Sequence, residues 1–234
     1  MTGDELPFVA RARELPGATA TTGRAKAADA VVAAARHLAA RGLSPGSSGN
    51  LSVRTTDGIL ITPTGSSLSR VAADDLALLT LDGDVLAGLP SKEWALHLAA
   101  YRADAAVAAV VHLHAPESTA VACLPPGEDG LADLPAYTPY RVMSLGEVPL
   151  LPYAAPGSPE LGPPVAQAVA AGRRVALLAN HGSVVAGATL DRAVDLAEEL
   201  EASARLALTL AGRGARVLSE AERASLRAHS LRTH

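Results

Sequence analysis

The chain has 234 residues and a net charge of −4, and 49% of its residues are hydrophobic, which is enough for one globular domain with a buried core. Basic residues form no stripe and the apolar segments are short, which argues against a nucleic-acid partner and against a membrane-bound protein. The single cysteine, Cys123, excludes an intramolecular disulfide, so we predict a cytoplasmic protein in which this thiol is a small buried hydrophobe.

In the first half of the chain, a long helix is followed by hairpins. Residues 1–24 are rich in Gly and Thr and are predicted to form an N-terminal arm. A helix is predicted over Ala25–Arg41 and ends at Gly42. Hairpin turns are predicted at Asp57-Gly58 and at Asp82-Gly83. The strands that flank these turns are predicted at Leu51–Arg54, Ile59–Thr62, Leu76–Leu81 and Val85–Leu86.

The second half alternates helices with apolar strands. Pro90-Ser91 opens a helix that continues to about Arg102, with Ser91 as its N-cap. Ala106–His114 is an apolar run that ends in histidines, which indicates a buried strand. The remaining predicted elements are short strands at Val142–Ser144 and Leu150–Leu151, a helix at Pro163–Ala171, a strand at Val175–Ala179, a helix at Leu190–Ala211 and a helical tail over residues 213–234. Hairpins combined with helices at both ends predict α/β layers around a mixed or mostly antiparallel sheet.

Three histidines follow apolar strands and could share one metal ion. His112 and His114 lie two residues apart on a predicted strand, so both side chains project to the same face. His181 directly follows a second apolar strand. Three imidazoles would leave a coordination position open for a substrate, as catalytic zinc sites do. The alternative is that all three are strand-end histidines bonded to the backbone.

Glu93 and several small polar residues could complete this site. Glu93 lies in the first turn of a predicted helix, where the helix dipole favours a carboxylate, so it could be a surface acid, a fourth ligand or a proton carrier. His97, one turn later, could support Glu93 from behind the site, but it is interpreted as a histidine on the helix face. Gly49-Asn50, Thr64-Gly65 and Ser91 supply N–H and hydroxyl donors of the kind that bind phosphate, although each alone could be an ordinary turn.

Five motifs, taken in their order and spacing, resemble the class II aldolase/adducin family. They are Ser48-Gly49-Asn50-Leu51-Ser52-Val53-Arg54, Ile61-Thr62-Pro63-Thr64-Gly65, Ser91-Lys92-Glu93-Trp94, His112-Leu113-His114 and Asn180-His181-Gly182. The resemblance covers about residues 25–212, which we expect to form the family's domain. It implies a three-layer α/β/α fold with a mixed, mostly antiparallel central sheet. It also implies a C4 homotetramer with active sites at subunit interfaces.

The resemblance assigns a role to each site residue. It implies that His112, His114 and His181 bind Zn²⁺, with Mn²⁺ or another divalent ion as the alternative, and that Glu93 is the acid/base. It further implies that the substrate phosphate is bound by Gly49, Asn50, Thr64, Gly65 and Ser91. The implied substrate is a small phosphorylated sugar or sugar acid.

Lys92 and the proline-rich middle of the chain resemble one branch of the family, the 3-oxo-tetronate 4-phosphate decarboxylases. Sugar-phosphate aldolases of this family usually carry serine where this chain has Lys92, and a cation beside the reacting carbon suits a substrate carboxylate. The alternative is a solvated lysine at a helix start. Tyr140, or alternatively Tyr137, matches the place where the family brings a tyrosine into a neighbouring subunit's site; a packed aromatic is the other reading. Further segments that resemble this branch are Pro135–Tyr140, Val142-Met143, Leu151-Pro152-Tyr153 and Pro156-Gly157.

We therefore predict a metal-dependent lyase that decarboxylates a 3-oxo-tetronate 4-phosphate to dihydroxyacetone phosphate and CO₂. Decarboxylation of a β-keto acid and retro-aldol cleavage both break a bond beside a carbonyl and leave an enediolate, which zinc can stabilise as a Lewis acid. The alternatives are an aldolase of the fuculose or ribulose 1-phosphate type, an epimerase that uses the same bond cleavage, and a non-catalytic adducin-like scaffold. A scaffold would not require the three histidines and Glu93.

Overall fold

The computed structural model describes the backbone of residues 21–233 and the side chains of residues 23–228. The strands in this range are β1 (Asn50–Thr55), β2 (Gly58–Ile61), β3 (Ala77–Leu79), β4 (Val85–Ala87), β5 (Ala109–Leu113), β6 (Leu150–Leu151), β7 (Val175–Leu178) and β8 (Gly182–Gly187). They form one sheet in the order β4-β3-β2-β1-β5-β8-β7-β6. Only the pairing of β6 with β7 is parallel. The predicted mixed, mostly antiparallel sheet is therefore confirmed.

Helices cover both faces of this sheet. The α-helices are α1 (Thr21–Ala40), α2 (Trp94–Ala103), α3 (Pro116–Ala122), α4 (Gly162–Ala170), α5 (Leu190–Leu210) and α6 (Glu220–Thr233). One hydrophobic cluster joins α1, α3 and α5 to the sheet, and a second joins α2 and α4 to the opposite face. Successive residues of β5 alternate between them, with Val111 in the first cluster and Val110 in the second. The predicted three-layer α/β/α fold is confirmed.

Three local predictions were wrong. Val142–Ser144 is not a strand but part of a π-helical turn, Arg141–Leu145. Its buried apolar residues, Val142 and Leu145, are three positions apart, which suits a helical turn rather than a strand. The helix predicted from Ser91 begins at Trp94 with Glu93 as its N-cap, although the Ser91 hydroxyl still accepts a hydrogen bond from the Glu93 N–H. Cys123 is exposed, because it lies at the C-terminal end of α3 rather than in a core strand.

One strand and one α-helix were not predicted at all, and both adjoin the histidines. β8 contains only Gly, Ser, Val and Ala, and every one of its residues is buried. α3 is a short helix that begins two residues after His114.

A helix forms each end of the described part of the chain. α1 includes residues 21–24, which the sequence analysis assigned to the arm, while residues 1–20 of that arm lie outside the described part of the chain. α6 falls within the predicted helical tail. None of the described helices is both long enough and apolar enough to cross a bilayer.

The turn between β7 and β8 places His181 against the end of β5. Asn180 has a φ of 54°, and no other described non-glycine residue has a positive φ. Two residues later, a Cβ on Gly182 would lie only 2.3 Å from the Leu113 carbonyl oxygen. Glycine is therefore required at position 182 by the close approach of β5, and this packing brings His181 beside His112 and His114.

Candidate active site and metal centre

The four residues predicted to act on a metal come from three parts of the fold. His112 lies in β5, and His114 follows the end of that strand. His112 has the same parity as Val110, which packs beneath α2 and α4, so its side chain projects toward that helical layer. Glu93 is the N-cap of α2 in the same layer. His181, from the turn that follows β7, completes the cluster.

The distances in this cluster are those of a shared centre. The three imidazole rings have centroids 4.8–5.0 Å apart. His112 Nε2 lies 3.0 Å from His114 Nε2. Glu93 Oε2 lies 3.1 Å from His112 Nε2, and Glu93 Oε1 lies 3.0 Å from His181 Nε2. One candidate ligand atom from each residue falls within 4.8 Å of all the others. The predicted grouping of these residues is therefore found in the structure.

Hydrogen bonding in the cluster leaves lone pairs that a cation would satisfy. His112 Nδ1 is 2.7 Å from the Ser183 carbonyl oxygen, which can only accept, so Nδ1 donates and Nε2 of the neutral ring carries a lone pair. Glu93 Oε1 and both ring nitrogens of His181 are buried and make no hydrogen bond to any described residue; the 3.0 Å approach of Oε1 to His181 Nε2 lacks hydrogen-bond geometry. Histidine nitrogens with a carboxylate oxygen are a donor set that Zn²⁺ favours. The residues fit a divalent cation.

The protonation states also suit cation binding. Burial raises the pKa of Glu93, but the close approach of His112 and His181 and the hydrogen bond from Asn50 outweigh it, so the pKa lies well below its usual range. Burial, assisted by the charges of His112 and His181, lowers the pKa of His114 to about 4. At neutral pH, Glu93 is therefore ionised and His114 is neutral, and both can act as ligands.

A pocket of about 370 Å³ opens beside this cluster. Its walls include all the residues predicted to bind phosphate, together with Lys92, Glu93 and His114. The predicted phosphate-binding residues that line it are Gly49, Asn50, Thr64, Gly65 and Ser91. Ser47 and Pro156 also line the pocket, and the sequence analysis assigned neither to it. A larger cavity, of about 890 Å³, lies between residues 125–147 and α6. None of the predicted site residues lines it.

Lys92 and Tyr140 differ in their relation to this pocket. Lys92 is exposed and lines it, and its aliphatic stem lies against Gly157, where a Cβ would be 3.3 Å from Lys92 Cγ and Cδ. Tyr140 is 67% exposed and does not line the pocket of its own chain. The structure therefore brings Lys92, but not Tyr140, to the predicted site within one chain.

The interpretation of His97 as a helix-face histidine was wrong, and the alternative, a supporting role behind Glu93, agrees with its contacts. His97 is fully buried, with Nδ1 2.7 Å from Ser52 Oγ and Nε2 2.5 Å from Asn50 Oδ1. Asn50 in turn donates from Nδ2 to Glu93 Oε2 at 2.9 Å. Because one of its two amide hydrogens is donated to Glu93, the Asn50 side chain has one N–H left to donate to a ligand. The position of His97 one turn after Glu93 was the only signal of this contact in the sequence.

Proteins of known function resemble the chain over most of its length. It is 44% identical to the 3-oxo-tetronate 4-phosphate decarboxylase of Haemophilus influenzae, over 78% of this chain and 87% of that protein. The protein of the same name from Escherichia coli strain K12 is 45% identical, over 80% of this chain and 88% of the relative. The L-fuculose phosphate aldolase of the same strain is 36% identical, over 80% and 84%.

Solved structures and a family comparison agree with these similarities. The crystal structure of YgbL from Escherichia coli matches with a TM-score of 0.83 at 41% identity, over 87% of this chain and 99% of that chain. A structure of L-fuculose 1-phosphate aldolase matches with a TM-score of 0.78 at 29% identity, over 87% and 95%. Residues 29–208 match the family described as Class II Aldolase and Adducin N-terminal domain. With its histidine cluster, its three-layer fold and these relatives, the chain belongs to the class II aldolase/adducin family.

Proposed function

We propose that this chain is a metal-dependent lyase that decarboxylates a 3-oxo-tetronate 4-phosphate to dihydroxyacetone phosphate and CO₂. The observation that carries this proposal is the convergence of Glu93 and three histidines beside a pocket that also contains an exposed lysine. The relatives named as 3-oxo-tetronate 4-phosphate decarboxylases support it at 44–46% identity, whereas those named as L-fuculose phosphate aldolases are 36–37% identical.

The three histidines would hold the cation, and Glu93 would be able to add a fourth ligand while the substrate is absent. The bound ion would supply Lewis-acid stabilisation of the negative charge that develops on a substrate oxygen. We propose Zn²⁺ because imidazole nitrogens dominate the donor set, with Mn²⁺ as the alternative.

The pocket walls suit the two charged ends of the substrate. Gly49, Thr64-Gly65 and Ser91 would bind the phosphate through hydroxyl groups and backbone N–H groups, and Asn50 would contribute its second amide hydrogen. Lys92 would pair with the carboxylate that leaves as CO₂. A substrate with a phosphate at one end and a carboxylate at the other would thus be oriented across the site.

Glu93 would move the proton that the reaction requires. When the bond between the carboxyl carbon and C2 breaks, its electron pair passes to the C3 carbonyl oxygen, and C2 must then take up a proton. Glu93 is ionised in the resting site and would carry a proton from solvent to C2 after CO₂ leaves. The net reaction consumes one proton for each CO₂ released.

A direct assay tests this function against its alternatives. The purified chain, loaded with Zn²⁺, is incubated separately with 3-oxo-tetronate 4-phosphates and with ketose 1-phosphates, and CO₂ and triose phosphate are measured together. We expect equal amounts of CO₂ and dihydroxyacetone phosphate from the former, and loss of both products after chelation. Triose phosphate without CO₂, formed from a ketose 1-phosphate, would support the aldolase instead. A chain that binds no metal and turns over none of these substrates would support a scaffold.

We also propose that the domain over residues 25–212 assembles into a cytoplasmic homotetramer in which Tyr140 enters a neighbouring subunit's site. The exposure of Tyr140 and its absence from its own chain's pocket support this assignment. Mixing Tyr140→Phe chains with Glu93→Gln chains tests it, because a shared site would recover activity only in mixed assemblies. Sedimentation velocity measures the assembly itself.

A further inference from the structure

A chain of buried hydrogen bonds connects the protein core with Glu93. It runs from Tyr101 through Ser52, His97 and Asn50 to the Glu93 carboxylate, and each of these residues is at most 4% exposed. The successive distances are 2.9 Å from Tyr101 Oη to Ser52 Oγ, 2.7 Å to His97 Nδ1, 2.5 Å from His97 Nε2 to Asn50 Oδ1, and 2.9 Å from Asn50 Nδ2 to Glu93 Oε2. No solvent-exposed group interrupts it.

The carboxylate end of this chain fixes the direction of every bond when His97 is neutral. The Glu93 carboxylate can only accept, so Asn50 must present its NH₂ group to it and its oxygen to His97. His97 must then donate from Nε2, and Nδ1 of the neutral ring accepts from the Ser52 hydroxyl, which itself accepts from Tyr101. Burial, together with the charge of His112, lowers the pKa of His97 to about 3, which agrees with a neutral ring.

This arrangement places Asn50 between two residues of one helix. Glu93 is the N-cap of α2, and His97 lies one turn later in the same helix. Asn50 begins β1 and pairs with His112 of β5. The donor at His97 holds the Asn50 oxygen on the side away from Glu93. Without that donor, the amide is free to rotate, and each orientation that turns its oxygen toward the Glu93 carboxylate sets two acceptors against each other.

We propose that His97 is a positioning residue for the proposed reaction: by donating to Asn50, it fixes the amide so that NH₂ holds Glu93 Oε2 and leaves Oε1 beside His181. The inference rests on the proposed function in one respect, the participation of Glu93. Oε1 is the carboxylate oxygen that makes no hydrogen bond to any described residue, so it is the oxygen left for a cation or a proton.

Two substitutions of His97 separate positioning from packing. In His97→Gln, the terminal amide reaches the place of the imidazole Nε2 and can still donate to Asn50. In His97→Asn, the shorter amide reaches only the place of Nδ1, so the contact with Ser52 can persist while the donor to Asn50 is lost. Tyr101→Phe is the matched control, because it removes a buried hydroxyl from the far end of the chain and leaves the donor to Asn50 in place.

The readouts are kcat, KM, the Zn²⁺ dissociation constant from competition with a chelator, and the thermal midpoint. Loss of a residue that orients a metal ligand typically costs about 10–100-fold in activity or metal affinity. We expect losses of about this size in kcat and in Zn²⁺ affinity for His97→Asn, with a smaller change in KM. His97→Gln should recover most of both losses, and Tyr101→Phe should change the thermal midpoint more than kcat.

Equal losses of kcat in His97→Gln and His97→Asn, in parallel with their thermal midpoints, would reduce His97 to a packing residue and overturn the proposal. Zn²⁺ affinity is measured without substrate, so a failure of the chain to decarboxylate would overturn the proposed function while leaving this inference open to test. If His97→Asn does not fold, nitrogen NMR of the histidine-labelled wild type decides the matter. The proposal requires the His97 proton on Nε2 at neutral pH, and a proton on Nδ1 would contradict it.

Discussion

Lys92 offers the sharpest test of which substrate the pocket accepts. The chain has only two lysines, Lys26 and Lys92, so Lys92→Ser removes the sole lysine of the pocket and installs the residue usual in the family's sugar-phosphate aldolases. If Lys92 pairs with the substrate carboxylate, this change should weaken decarboxylation and leave the binding of carboxylate-free phosphates nearly unaffected.

The expected magnitude follows from the exposure of Lys92. Truncating one partner of a buried charge pair costs about 2–5 kcal/mol, whereas exposed ion pairs contribute about 0.2–1 kcal/mol. The ammonium group is accessible to solvent in the free chain, but one side of its stem is covered by Gly157, and a substrate in the pocket would cover more. We therefore expect the lower end of the buried range, about 2 kcal/mol, which corresponds to a roughly 30-fold loss of kcat/KM.

The assay compares two ligands that share a phosphate. Decarboxylation is followed by CO₂ release, and dihydroxyacetone phosphate, which has no carboxylate, is titrated as a competitive inhibitor. Lys26→Ser is the matched control, because Lys26 is exposed in α1 and lies outside the pocket. Equal weakening of turnover and of dihydroxyacetone phosphate binding in Lys92→Ser would mean that Lys92 meets the phosphate, and the carboxylate role would have to be abandoned.

Three further predictions concern the histidines and Glu93. Glu93→Gln should fold and still bind Zn²⁺ through the three histidines, although more weakly, and lose about 10²–10⁴-fold in kcat at saturating Zn²⁺, as expected for a proton carrier; a loss below about tenfold in steady-state kinetics would assign it a lesser role. Crystals grown with Zn²⁺ should show one ion on His112, His114 and His181 at nitrogen–zinc distances of about 2.0–2.1 Å, and rings that point to different places would contradict the site. The pKa of His97 is lowered to about 3, so between about pH 6.5 and 3 the unfolded chain binds a proton there that the folded chain does not. Stability should therefore fall with decreasing pH in this window, by up to about 1.4 kcal/mol per pH unit from this group, and denaturation of His97→Gln should lack that contribution.

Much of the site could be predicted because its spacing is tied to regular structure. The two-residue spacing of His112 and His114 on an apolar strand places both on one face, whatever the rest of the fold does. The small residues at Gly49-Asn50 and Thr64-Gly65 likewise indicate turns from their local sequence alone. These features needed no knowledge of which strands pair.

The role of His97 could not be predicted in the same way. Its spacing from Glu93 fits any amphipathic helix, and its partners Asn50 and Ser52 lie more than forty residues away in the sequence. Only the antiparallel pairing of β1 with β5, which sets Asn50 opposite His112, places β1 beneath α2. β8 was missed for a related reason: its small residues are buried on both faces, so it lacks the alternation that marks a half-buried strand.

The two sides of the site differ in how freely they can change over evolution or in the laboratory. The histidines are anchored on the sheet, where Gly182 leaves no room for even a methyl group beside the Leu113 carbonyl. Another part of the pocket wall is made of connecting segments that carry Ser47 and Pro156. Substitutions or length changes in such segments are tolerated far better than changes in a packed strand. New substrate preferences can therefore arise on this wall while the residues that perform the chemistry stay in place, and libraries for altered specificity belong there.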